Sequence, residues 1–464
     1  MLIVGAMRTV PVLVLLAACA GSSNPHEAAA PVLVEVPVNP HLTVTPIEIA
    51  DVTVTPMDAP ASAVVEFART TTLLEAPQAD AERLGVIKKK ARAAVKSKAA
   101  GDASCPRWIE IEPKGWTCES AVIATSEAPT AASPVSLDED DSDRPAVIRA
   151  TYGMVRRGTS AFANRQEATD GEGHVLAGSN TVRAAGATTI DGKRFWLTSK
   201  GELIDASQIV QISPSSFKGV AIADGAAMPG WIRGRKDPSK PVRTSTEPGG
   251  RVRGEIAART VVTIREESVD GRFVRVDDSA WVPRGDVRMV AVTAPPEGTG
   301  ADEKWFDVDL DTQILVAYEG ARPVYATLVS TGKYGHWTPT LITRVQSKHE
   351  STPMTSDKGD VYSVADVPWT MFYDGHYALH TSYWHNGFGG PRSHGCINLA
   401  PRDARLLYQW SSPDVPPGWT SVYGTEAHPG SLVRVHSAKL PEPKFRGYAK
   451  RIREAGATVA SSVP

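Results

Sequence analysis

Two stretches of the chain repeat one pattern. Arg107-Trp108-Ile109-Glu110-Ile111 leads to Trp116, and Arg272-Phe273-Val274-Arg275-Val276 leads to Trp281, with the same nine-residue step from Arg to Trp. Alternation of apolar and polar residues followed by a turn and a second short strand is the pattern of a β-hairpin. Arg194-Phe195-Trp196-Leu197 reaches Leu203 at that step. Leu74-Glu75-Ala76-Pro77 up to Val95, and Ser245-Thr246-Glu247-Pro248 up to Ile264, precede the two full copies. The expected fold is mainly β, with small β-barrels at 63–125 and 236–292 and a more diverged β domain at 147–235. The tryptophans are expected in the barrel cores.

Breaks in composition divide the rest of the 464 residues, a length that suggests about three or four domains. Residues 19–62 carry prolines at 25, 31, 37, 40, 46, 56 and 60 and no helical period, so they read as an extended tether, about 3.1 Å per residue where polyproline-like. Residues 126–146 contain Asp138-Glu139-Asp140-Asp141, a solvated acidic linker rather than a metal site, since no turn glycine or ligand spacing accompanies it. Ala294-Pro295-Pro296-Glu297-Gly298 marks a linker at 293–301, ahead of a domain at 302–436 and a polar tail at 437–464. With 50 Lys plus Arg against 52 Asp plus Glu there is no basic excess to neutralise phosphates, so nucleic acid is not expected as a partner.

The run Val10 to Ala18, flanked by Arg8, is too short to span a bilayer but fits a secretory leader. Its end, Leu16-Ala17-Ala18-Cys19, resembles the lipobox of bacterial lipoproteins, in which the Cys is acylated and becomes the mature N-terminus. That resemblance implies a leader over 1–18, a lipid anchor to the membrane at Cys19 and a place in the bacterial cell envelope, facing the periplasm or wall. Two or three acyl chains anchor stably where one does not. An exported chain meets oxidising conditions. Of the remaining cysteines, Cys105 and Cys118 close a short loop whose bridge would contribute roughly 3 kcal/mol. Cys396 is then a free, reactive thiol.

The chemistry concentrates between His376 and Leu399, where one Cys and several His lie on a Gly-rich segment. Cysteine attacks carbonyls as the thiolate and needs a base or a positive field. His380, at the end of the apolar run Tyr377-Ala378-Leu379, can supply that base from a neighbouring strand. Gly395 lets the backbone approach a substrate and direct N–H groups at a developing oxyanion. Asn398 is expected to fix the turn through side-chain bonds to backbone, and Pro401 to open a helix over Arg402 to Trp410. A zinc site from His380, His385, His394 and Cys396 is disfavoured, because His-x-Cys is unlike common structural-zinc spacings. No metal or cofactor is expected.

Ser393-His394-Gly395-Cys396-Ile397-Asn398, preceded by His380, resembles the signature of the YkuD-type L,D-transpeptidases, which cross-link or modify peptidoglycan. The resemblance runs over about 302–436 and takes in Trp305 to Leu310, Gln313 to Gly320, Thr327 to Gly332 and Thr338-Pro339, and it lacks the Gly that the family usually carries soon after Thr-Pro. It implies a β-sandwich-like catalytic domain that acts on peptidoglycan stem peptides. It also implies Cys396 as nucleophile, His380 as base, Thr381 holding that His through its carbonyl, and the N–H groups of His394, Gly395 and Cys396 as the oxyanion hole. Tyr383-Trp384-His385 with Phe388 resembles the lid-like stretch of one subgroup and is expected over the substrate. The upstream repeats resemble bacterial Src-homology-three-like domains, which often accompany cell-wall enzymes. Two rivals remain. One is a wall-binding scaffold with an inactive last domain. The other is an NlpC-type endopeptidase, in which the base follows the Cys and would be His428 or His436.

Overall fold

The structure, a computed structural model, describes residues 63–132, 137, 147–148, 150–234, 239–357 and 359–461, with side chains as far as 455. The leader, Cys19, the tether and Asp138 to Asp141 lie outside the described residues. Short antiparallel strands dominate, and no described helix is long and apolar enough to cross a membrane.

The repeated pattern forms the hairpins that its alternation implies. Arg107–Ile111 runs antiparallel to Arg92–Ala100 and to Trp116–Cys118. Ile109 and Ile111 join Phe67, Leu73 and Ile87 in one core, while Trp108 and Trp116 pack on Cys105 in a separate cluster. The Cys105 and Cys118 sulfurs are bonded, with Cα atoms 5.6 Å apart. Phe273–Val276 likewise lies between Val261–Glu267 and Ala280–Pro283 over a core of Val274, Val276 and Val282. Pro229–Ile232 pairs into this same sheet, which therefore begins ahead of residue 236. Between the two, Ser179–Ile190 pairs with Tyr152–Val155 and Lys193–Thr198.

None of these sheets closes into a barrel among the described residues. An open sheet leaves unpaired N–H and C=O groups at its edges. Here two edges are paired to the C-terminal region instead. Arg83–Ile87 adds antiparallel to Trp419–Tyr423, and Ser179 and Asn180 add parallel to Tyr362 and Ser363.

Residues 302–436 form two packed sheets. The first orders Val220–Ala221, Arg322–Leu328, Ile314–Glu319, Lys304–Asp309, Leu432–His436 and Leu341–Arg344. The second joins Trp419–Tyr423, Ser347–Ser356, Tyr362–Asp374, Tyr377–Thr381 and Ile397–Leu399. Phe306, Val308, Leu315 and Val433 from one sheet meet Met371, Leu379, Ile397 and Leu399 from the other in the main core. Because each such side chain is fully or nearly fully buried, truncating Leu379 to Ala would cost about 2–5 kcal/mol. The outer face of the first sheet is covered by Trp231 and Val290 and by Ala449 of a C-terminal helix, Gly447–Ser461. The expected polar tail is thus partly helical and docked, with the Tyr448 hydroxyl donating to the Val345 carbonyl at 2.6 Å.

Candidate active site

Strand register builds the site. Ile397–Leu399 lies parallel to Tyr377–Thr381, with Leu379 opposite Ile397 and His380 opposite Asn398. Successive side chains point to opposite faces of a sheet. Leu379 and Ile397 therefore enter the sandwich core, and His380 and Asn398 share the other face. Cys396, two residues before Asn398 and just ahead of the strand, is on that same face. It lines a cleft of about 870 Å³ together with His380, Asn398, Ser393 and Trp384.

The turn before Cys396 is held by two hydroxyls. Thr338 Oγ1 accepts from the Gly332 N–H and donates to the Gly395 carbonyl, both at 2.8 Å. Ser393 Oγ accepts from the Gly395 N–H at 3.0 Å and donates to the Cys396 carbonyl. Gly395 has φ +117°, and a Cβ there would lie 2.6 Å from the Tyr377 ring, so conformation and space both require glycine. Of the three N–H groups expected to meet an oxyanion, that of Gly395 is bonded to Ser393 Oγ.

His380 is 3% exposed, and its Nδ1 lies 2.8 Å from the Thr381 carbonyl oxygen. A carbonyl only accepts, so Nδ1 carries the proton and Nε2 keeps its lone pair. Burial pushes the His380 pKa down to about 4, with the Thr381 bond opposing it. Burial also pushes the Cys396 thiol up to about 11, partly offset by the Ala378 N–H. Both groups are neutral at pH 7, and the thiol donates to the His376 carbonyl, 3.7 Å from Sγ.

The expected substrate residues separate. Trp384 lines the cleft and stacks on His380, ring centroids 5.9 Å apart. Tyr383 is fully buried. Its hydroxyl donates to the Ala365 carbonyl at 2.6 Å and lies 2.8 Å from Thr181 Oγ1, so it links the paired strands Ser179–Ile190 and Tyr362–Asp374. Phe388 is 2% exposed, in the core with Trp231. His385 lies between two polar partners, with Nδ1 3.1 Å from the Gly387 backbone nitrogen and Nε2 3.0 Å from the Asn398 side-chain amide nitrogen. Asn398 thereby braces His385 instead of the turn backbone. Of the lid-like stretch, Tyr383 and Phe388 are packed inward, held by hydroxyl and apolar partners, while Trp384 stays at the cleft.

At the cleft mouth, His394 Nε2 and His336 Nε2 approach Asp360 Oδ2 at 3.1 and 3.5 Å, with donor atoms all within 4.8 Å of one another. The Lys333 ammonium also binds that oxygen at 2.9 Å and, with His394, holds the Asp360 pKa down to about 2. A positive charge therefore already occupies the carboxylate that a cation would need.

The histidines that follow Cys396 are elsewhere. His436 bonds Asp307 at 3.1 Å, which raises its pKa, and His428 is exposed; neither lines the cleft. Sequence reasoning missed Thr338 as a positioning residue, although the Thr338-Pro339 pair marked the segment. It also missed Asp403, buried in the first turn of the helix Pro401–Trp410, which accepts from the Gly219 N–H and the Tyr325 hydroxyl, both at 2.8 Å.

Residues 303–435 match the model of the L,D-transpeptidase catalytic domain, YkuD. No curated protein matches the chain. Among solved structures, an L,D-transpeptidase (Yku) from Stackebrandtia nassauensis is 26% identical over 30% of this chain and 57% of its own, TM-score 0.22. One from Xylanimonas cellulosilytica is 24% identical over 30% and 63%, TM-score 0.22. The catalytic domain of the E. faecium L,D-transpeptidase is 26% identical over 29% and 98%, TM-score 0.23. The chain thus spans less than two thirds of the first two.

Proposed function

With residues 303–435 matching that catalytic domain, we propose that this chain is a peptidoglycan L,D-transpeptidase working through a cysteinyl thioester. The observation that carries the proposal is the shared face of Cys396 and His380, on and beside adjacent parallel strands in one cleft. As the sulfur attacks the carbonyl before the terminal D-Ala of a tetrapeptide stem, His380 Nε2 takes the thiol proton. The tetrahedral oxyanion meets the N–H groups of His394 and Cys396. The proton then passes from His380 to the departing D-Ala amine as the C–N bond breaks and the thioester forms. An amine acceptor attacks the thioester, and the thiol is restored. An oriented amine outruns water here because its translational freedom is already lost on binding.

A carbapenem, whose strained carbonyl a thiolate opens, tests the step. Incubated with the protein, it is expected to add its whole mass to Cys396, and Cys396→Ala is the blank. Labelling that persists in the blank would overturn the assignment. Muropeptide mass analysis after incubation with tetrapeptide-rich wall identifies the acceptor. The same proposal places the protein in the envelope through a lipid on Cys19, so Cys19→Ser is expected to move it to the soluble fraction with purified activity intact. A variant still bound to membrane would overturn that anchor.

A further inference from the structure

One wall of the cleft is not built by residues 303–435. Arg156, Arg157, Asn180, Thr181 and Val210 line it from the β region at 147–212, in the same cleft as Cys396 and His380. That wall is firmly attached. Ser179 and Asn180 continue the catalytic sheet beside Tyr362 and Ser363, and the Ser179 N–H donates to the Val361 carbonyl at 3.1 Å. The Tyr152 ring stacks on Tyr383 with centroids 4.0 Å apart, and its hydroxyl donates to the Asp366 carbonyl at 2.8 Å. The approach at Gly178 leaves no room for a side chain, since a Cβ would meet the Val361 oxygen at 2.0 Å.

The charge of the lining is one-sided. Arg156, Arg157 and Arg392 stand against a single carboxylate, Asp360, which Lys333 and His394 already bind. None of the three guanidinium groups has a carboxylate partner among the described residues. Guanidinium groups bind carboxylates through paired N–H donors, and a concave positive surface concentrates anions.

We propose that Arg156 and Arg157 form a subsite for the free carboxylates of an acidic peptide substrate, so that the β region at 147–212 sets which stem peptides the catalytic pair receives. The inference rests on the transpeptidase reading and names the feature of the donor that is read. A stem peptide with free side carboxylates is preferred over the same peptide with those groups amidated.

The experiment compares the full chain with Arg156→Glu/Arg157→Glu and Arg156→Lys/Arg157→Lys variants. The probes are a synthetic tetrapeptide stem in its free-acid and amidated forms. Alkylation of Cys396 by neutral iodoacetamide, together with a thermal melt, verifies that each variant is folded. Charge reversal is expected to raise KM for the free-acid peptide at least about tenfold, with the change falling on KM rather than kcat, and to move KM for the amidated peptide little. The Lys variant is expected to restore much of the affinity. Equal KM values in wild type and the reversed variant, or equal losses on both peptides, would overturn the subsite. If the wild type turns over neither peptide, the transpeptidase reading fails. Calorimetric binding of the free-acid peptide to wild type and reversed variant then decides the subsite separately: about tenfold weaker binding supports it, and equal binding overturns it.

Discussion

The Nδ1 of His380 lies 2.8 Å from the carbonyl oxygen of Thr381, the next residue in the chain. This one contact assigns the tautomer, with the proton on Nδ1 and the lone pair left on Nε2. Burial then keeps it neutral, and burial keeps the Cys396 thiol in the same cleft protonated.

Reactivity of the free enzyme follows from that neutral pair. A thiol whose pKa is pushed up to about 11 gains thiolate steadily as pH rises toward that value. The rate of Cys396 alkylation by iodoacetamide is therefore expected to rise about tenfold per pH unit between 7 and 10. A rate already flat by pH 7 would show a resting thiolate and overturn the neutral pair.

Exchanging the two rival histidines separates their roles. His380→Ala is expected to slow acylation by roughly 10²- to 10⁴-fold, the share of a positioned base. His436→Ala removes a bond to Asp307, to which Arg434 also donates, and is expected to cost about 1 kcal/mol of stability while leaving acylation near wild type. Time-resolved intact mass and a denaturant melt measure both. A larger kinetic loss at His436 would mean that the base follows the nucleophile.

Gly395→Ala tests the turn. Forcing a side chain into φ +117° against the Tyr377 ring is expected to cost about 1–3 kcal/mol and to displace the Cys396 N–H, lowering acylation at least about tenfold. Wild-type rate and stability in this variant would show that the turn tolerates a Cβ.

The Cys105–Cys118 bridge closes a short loop with a sequence separation of 13. Replacing both by Ala is expected to lower the stability of the first β module by roughly 3 kcal/mol in the chain-entropy model, while acylation of Cys396 persists. Peptide mapping under non-reducing conditions is the direct measurement. A bridge containing Cys396 in active protein would contradict the pairing.

Some of this was legible along the chain and some was not. The hairpins at Arg107–Ile111 and Phe273–Val276 were legible, because side-chain period is a local property. That those sheets stay open rather than closing into barrels was not. Whether an edge closes on its own sheet or on another depends on partners far away, here Trp419–Tyr423 and Tyr362–Asp374. The burial of Tyr383 and Phe388 was not legible, because an aromatic run reads alike whether it faces a cleft or a core.

The sequence by itself determined which groups stand close along the chain: the Cys396 thiol, a histidine at a strand end and the glycine that precedes the thiol. Those placements act through covalent neighbours, so spacing preserves them. Only the tertiary structure decided what surrounds those groups. Parallel register set His380 and Cys396 on one face, the hydroxyls of Thr338 and Ser393 locked the turn, and a β region outside the catalytic match became a wall of the cleft. Those contacts join residues distant along the chain, and the free energy that selects them is burial and hydrogen bonding between surfaces that exist only once the sheets have paired.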